Sequence, residues 1–237
     1  MNDSTTITRS AKRPATRLAM PVRPRDAATL ILVRPGESGF LCLMGRRHAD
    51  SQFLPGYYVF PGGAVERSDR MARPVSPLDL AHLAAMGVGG NARTAAALGV
   101  AAVRETFEET GIMVADPGDV GNAPGASFDE MRRRAIAPAL GRLVYLGRAI
   151  TPAYSPIRFH ARFFLARLGP DSVELGGDDE LHDLSWVPLG EVASRPTIGI
   201  TRFMARFAAD ILECAPTLPE KRPVFYSRGC RRVIRYL

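Results

Sequence analysis

A chain of 237 residues is long enough for one domain with insertions, or a domain with tails, and 46% hydrophobic content supplies a core. No apolar run reaches the roughly 20 residues of a membrane span, and the Ser/Thr/Arg-rich start lacks the apolar stretch of a secretory signal. The formal charge of +7 sits at the ends: residues 1–25 hold six Lys/Arg against one Asp, residues 220–237 hold six against one Glu, and the body between them is net acidic. A basicity confined to tails argues against a nucleic-acid-binding body and leaves the ends as solvated or partner-contacting segments.

Residues 1–25 read as a disordered basic leader, with a mitochondrial-type presequence as the alternative. Residues 28–33 and 40–44 are apolar runs around Pro35-Gly36-Glu37-Ser38-Gly39, which predicts a hairpin with a loop longer than two residues. Tyr57 to Phe60 reads as a third strand, stopped by Pro61-Gly62-Gly63. Ser76 and Pro77 look like the N-cap and first residue of a short helix carrying Leu78, Leu80, Leu83 and Met86, ended by Gly87-Val88-Gly89-Gly90.

A long helix is expected over 93–110, with Val100, Val103 and Phe107 on its core face and Gly111 as the residue that ends it. Residues 128–140 suggest a further helix or a lid-like insertion. Strands are expected over 143–150, 158–168 and 184–187, and an amphipathic helix over 200–212. The domain is therefore placed at 26–214, with 215–237 as a basic C-terminal extension. Pattern alone supports an α/β or α+β class.

Three carboxylates stand out. Glu105, Glu108 and Glu109 lie at i, i+3 and i+4 in the last turns of the long helix, so they share one face and repel one another. They also meet the negative end of the helix dipole, at about 0.3–1 kcal/mol per charge. A divalent cation would reverse each of those terms. The competing reading is a solvated acidic face. Cys42, Cys214 and Cys230 are too scattered for a zinc site, as are the four histidines, and sparse thiols suit a cytoplasmic protein.

With Pro61-Gly62-Gly63 upstream and Arg104 directly before the first carboxylate, the chain resembles the Nudix hydrolases, whose box reads G-x5-E-x7-R-E-U-x-E-E-x-G-U with U apolar. Gly63 opens it, and Arg104-Glu105-Thr106-Phe107-Glu108-Glu109-Thr110-Gly111-Ile112 closes it, with Thr106 in place of the apolar residue. Asp69 stands where the first acid is Glu, and 34 residues rather than seven separate it from Arg104, an insertion placed at 70–92. The split box resembles the branch related to peroxisomal coenzyme A diphosphatases. So do Phe53-Leu54-Pro55-Gly56-Tyr57-Tyr58-Val59-Phe60-Pro61-Gly62-Gly63, Ile150-Thr151-Pro152 and Pro156-Ile157-Arg158-Phe159.

The resemblance implies an α/β/α sandwich with a mixed sheet and helical insertions. It implies hydrolysis of a phosphoanhydride in a nucleoside diphosphate linked to another group, with Mg²⁺ or Mn²⁺ as cofactor. Gly63, Glu105, Glu108 and Glu109 would be the metal ligands, and Arg104 would pair with Asp69 to orient the glutamates. Coenzyme A or an acyl-CoA is the first expected substrate. An ADP-ribose or NADH-type dinucleotide is the alternative, and a non-catalytic nucleotide-binding regulator is a third reading. A homodimer is expected from the family.

Glu180, in the loop Gly176 to His182, is the candidate general base. Arg46, Arg47, Arg158 and Arg162 are candidate phosphate or nucleotide ligands, since guanidinium binds phosphate through paired donors. Tyr154 is a candidate base-stacking residue. Alternating Arg158, His160 and Arg162 also fit the wet face of a half-exposed strand.

Overall fold

In a computed structural model the structure describes residues 22–169, 175–178, 180–214, 220–228 and 231–237. The expected disordered leader, 1–21 in particular, lies outside them. Strands β1 (Arg25–Gly36) and β2 (Gly39–Arg47) open the chain, and β3 (Tyr58–Val59) and β4 (Gly62–Ala64) follow. Helix α1 (Ala92–Thr110) leads to β5 (Ala115–Pro117), α2 (Ala126–Arg133) and β6 (Ile136–Pro138). Then come β7 (Val144–Ile150), β8 (Phe159–Arg167), β9 (Leu181–Pro188), α3 (Gly199–Cys214), β10 (Pro223–Arg228) and β11 (Arg231–Tyr236).

The main sheet runs β11-β10-β7-β8-β1-β2-β3, with β4 added to β1 and β9 to β2. The β1–β8 and β7–β10 pairs are parallel and the rest antiparallel, so the sheet is mixed. Strand β1 is central, and its two-residue repeat feeds two cores. Leu30 and Leu32 pack with Leu98, Val100 and Val103 of α1, while Ile31 and Val33 pack with Met204, Ala205 and Ala208 of α3. The fold is the expected α/β/α sandwich.

Four local expectations are corrected. The first hairpin is tight: Gly36 pairs with Gly39, leaving a two-residue turn, because Gly39 takes the positive φ that such a turn requires. Residues 77–87 form turns rather than a helix. Ser76 Oγ accepts from the Gly141 N–H instead of capping a helix, and the carbonyls of Ala85, Met86 and Gly87 accept from Arg148, Tyr145 and Arg162 side chains. Of the two readings of segment 128–140 the helix holds, as α2, and the lid does not, since Phe128 and Met131 are fully buried in the α1-side core and β6 pairs with β5. The C-terminal residues form the β10–β11 hairpin, which extends the sheet beyond β7.

Candidate active site

Helix α1 positions the acids. Asn91 caps its start, its side chain accepting from the Thr94 N–H, and Gly111 ends it in the left-handed conformation with its N–H on the Phe107 carbonyl. The loop before β9 completes that end: Gly176 and Asp178 donate their N–H groups to the carbonyls of Thr110 and Glu108. Gly177 makes the approach possible, because a Cβ there would stand 2.4 Å from the Glu109 carbonyl oxygen. The glycines of the acidic loop thus bring Glu180 toward the end of the box helix.

Arg104 is 5% exposed and bridges the split box. Its Nε and one terminal nitrogen donate to the two oxygens of Asp69 at 2.8 and 3.0 Å. The same terminal nitrogen donates to the Ala64 carbonyl, and the other reaches Glu105 and Glu108 at 2.9 and 2.8 Å. Burial works against the guanidinium charge, but the Asp69, Glu105 and Glu108 carboxylates outweigh it and hold Arg104 charged. Asp69 reaches its partner across 34 intervening residues because a 3₁₀ turn at Ser68–Arg70 seats it, and its second oxygen also accepts from the Glu66 N–H.

The three box glutamates face different surroundings. Glu109 is 1% exposed and accepts from the Gly62 N–H at 2.8 Å. Burial raises its pKa well above the usual carboxylate range, and Glu105 and Glu180 add to that, against the opposing Gly62 bond. Glu105 is pushed up to about 7, by burial first and then by Glu108 and Glu180, although Arg104 pulls the other way. Glu108 is turned aside and accepts from Ser127 and Arg104. Gly63 lies directly against Glu105, and a Cβ there would fall 2.5 Å from its carboxylate. Gly62 is equally constrained, at φ 153° and with the Ala28 carbonyl where a Cβ would stand.

Gly62, Gly63 and Glu105 border a cleft of about 550 Å³. Of the residues expected from sequence, Gly63, Glu105, Arg47, Glu180 and Tyr154 line it. Arg47 pairs with Glu180 at 3.1 Å, and its buried Nε has no hydrogen-bond partner among the described residues. Tyr154 is 78% exposed at the rim. Arg46, Arg158 and Arg162 do not line the cleft. Arg46 donates to the Gly56 carbonyl, and Arg158 is spent on the Thr151 and Val22 carbonyls. Arg162 is 1% exposed and bound to Asp26 and to the carbonyls of Met86, Gly87 and His160, so this strand face is covered rather than wet. Burial, with Arg162 and Arg148 beside it, pushes His160 down to about 4.

Sequence reasoning missed Ser127 and the cleft residues Arg25, Phe53, Ser227 and Arg232. The runs Val224-Phe225-Tyr226 and Val233-Ile234 on either side of Gly229 carried a hairpin signal that would have found the last two.

The donor set fits a hard divalent cation. Glu105, partly buried, and Glu109, buried, are carboxylates whose charge is disfavoured by burial and by neighbouring acids, beside a glycine turn with no room for a side chain. Among the described residues no three His, Cys, Asp or Glu side chains converge closely enough to enclose a metal by themselves. Mg²⁺ does not require such a cage, since it keeps waters and substrate phosphates in its shell.

The fold, with the box helix set against its glycine turn, is similar to that of the Nudix hydrolases. A crystal structure of a Nudix hydrolase from Alicyclobacillus acidocaldarius superposes with a TM-score of 0.60 and 29% identity, over 81% of this chain and 92% of that one. Among characterised proteins, the chain is similar to the acyl-coenzyme A diphosphatase NUDT19 of Gallus gallus, at 28% identity over 137 residues. That match takes in 49% of this chain and 33% of the relative, so the aligned region spans about a third of the relative's length. No family model matches the chain.

Proposed function

We propose that the protein hydrolyses a phosphoanhydride bond in a nucleoside diphosphate linked to another group, with coenzyme A or an acyl-CoA as the substrate. The observation that carries this reading is the pair of charge-disfavoured carboxylates, partly buried Glu105 and buried Glu109, set against Gly62-Gly63 beside a nucleotide-sized cleft. Glu105, Glu109 and the Gly63 carbonyl would hold Mg²⁺ or Mn²⁺, with Glu108 at the edge of the set. The ion, when bound, neutralises phosphate charge and makes water a better nucleophile.

The chain's own residues do the rest. Arg104, anchored by Asp69, fixes the orientation of Glu105 and Glu108. Arg47 offers its free Nε donor to a phosphate oxygen. Glu180, half-exposed beside Arg47, takes the proton from the attacking water. The acyl-CoA diphosphatase relative supports the substrate choice.

The test is product analysis with coenzyme A, acetyl-CoA, ADP-ribose and NADH, with Mg²⁺ or Mn²⁺ and with a chelator control. Metal-dependent 3′,5′-ADP from a CoA substrate is expected. AMP from ADP-ribose or NADH alone would replace the substrate. Absence of turnover with every compound would leave a nucleotide-binding regulator. Near-normal turnover in both Glu105→Gln and Glu109→Gln would remove the metal assignment.

A further inference from the structure

The outer strand of the C-terminal hairpin, β11, is an open sheet edge: among the described residues it pairs with β10 alone. The register says which backbone groups that edge presents. Arg222 and Leu237 exchange both of their N–H···O bonds, at 2.8 and 3.0 Å. Antiparallel pairs alternate between bonded and non-bonded, so Val224–Arg235, Tyr226–Val233 and Arg228–Arg231 are the bonded pairs. Arg232, Ile234 and Tyr236 therefore turn their N–H and C=O groups outward.

The same alternation sorts the side chains. Ile234 and Tyr236 share the face of Arg232, which lines the cleft. They are 41% and 50% exposed, two large apolar groups on a bare edge. Arg231 and Arg235 take the opposite face, and Arg231 stands directly across from Arg228. All three of these arginines are exposed. Like charges opposite one another in a sheet are unfavourable. Among the described residues none of the three has a carboxylate within ion-pair distance. The hairpin thus presents unpaired ladder groups along its edge, a row of cations on one face and apolar groups on the other.

We infer that β11 is the docking edge for an extended acidic segment of another protein, which adds to the sheet as a further strand with acidic and apolar side chains in alternation. Its backbone pairs with Arg232, Ile234 and Tyr236. Its acids meet Arg228, Arg231 and Arg235 on one face, and its apolar side chains cover Ile234 and Tyr236 on the other. Charge decides the occupant. Residues 220–237 hold six Lys/Arg against one Glu, and residues 1–21 hold four against one Asp, so neither a second hairpin nor the chain's own leader complements the edge. A nucleic acid would meet the arginines, but it offers no alternating donors and acceptors to the backbone and leaves Ile234 in water.

The probe is a fluorescein-labelled peptide, Glu-Val-Glu-Thr-Glu-Val-Glu, titrated with the full chain and read by anisotropy. Glu-Glu-Glu-Glu-Val-Thr-Val keeps its composition without the alternation. A copy N-methylated at the Val and Thr residues keeps the charges and loses the ladder. The alternating peptide should bind about tenfold more tightly than either control, the scale of two lost backbone bonds. Ile234→Pro removes an outward N–H and leaves the bonds to β10 in place, so it should keep its circular dichroism and weaken binding severalfold. Arg231→Glu and Arg235→Glu leave the backbone untouched and should do the same. No binding of the alternating peptide would overturn the docking edge, and equal binding of all three peptides would reduce it to diffuse charge. Unchanged affinity in a folded Ile234→Pro or in Arg235→Glu would also overturn it. A dimer in light scattering that Ile234→Pro abolishes would assign the edge to a second copy instead, and tighter binding of oligothymidylate than of the peptide would assign it to nucleic acid.

Discussion

Arg104 uses all five of its N–H donors, on Asp69 twice, Glu105, Glu108 and the Ala64 carbonyl. Removing Asp69 takes two of those bonds from the guanidinium and breaks a buried pair, a loss of about 3–5 kcal/mol for a pair of this kind. Asp69→Ala should lower the denaturation midpoint by that scale and reduce kcat, because Arg104 is then free to tilt the glutamates it touches. Equilibrium unfolding and single-substrate kinetics check both. Glu105 makes a separate statement through pH. Its pKa rises on folding from 4.5 to about 7, so the native state holds its proton longer than the unfolded chain does. That contribution is complete below pH 4.5 and is lost as pH climbs to about 7. In chelator, Tm should fall across this window, and the fall should flatten in Glu105→Gln. Mg²⁺ or Mn²⁺ should raise Tm more at pH 8 than at pH 5.

At the scale of elements, the box helix depends on a loop that closes its end. Gly177→Val would force a side chain into the Glu109 carbonyl at a φ of 135°. It should release the Gly176 and Asp178 bonds to α1, speeding amide exchange at both and lowering kcat through displacement of Glu180. Thr106 occupies a box position where an apolar side chain was expected, yet it is fully buried with its hydroxyl on the Ala102 carbonyl. A hydroxyl can be satisfied inside a helix in this way, so Thr106→Val should change stability by less than about 1 kcal/mol in chemical denaturation.

Helix α1 was legible from its Ala-rich start, its apolar spacing and Gly111, because those signals are local. The Asp69–Arg104 pair was legible only by resemblance, since no local rule joins residues 35 apart. Arg158 and Arg162 misled because alternation says which side chains share a face, not what covers it. The cover is the 85–87 turn, from a segment whose own pattern read as a helix.

Across the whole molecule, the insertion and the cleft lie on opposite faces of β8. Phe159, Ala161 and Phe163 line the cleft, while Arg162 points the other way and holds the Met86 and Gly87 carbonyls. No residue of 70–92 lines the cleft, so the insertion is fastened away from it. Arg162→Met should loosen that fastening, with faster amide exchange over 81–90 and little change in KM. Deleting residues 222–237 removes a cleft wall and exposes the β7 edge. It also takes away the Arg222 bond to the Tyr145 carbonyl, so solubility and thermal stability should both drop in the truncated chain.

The fastening has a practical consequence. Gly89 and Gly90 are exposed at the turn of the insertion, and the space where each would carry a side chain is empty. Foreign sequence spliced between them would leave from the far side of the sheet. A fluorescent or affinity module could be grafted there with turnover retained, whereas a fusion at the C-terminus would tug on the strand that carries Arg232.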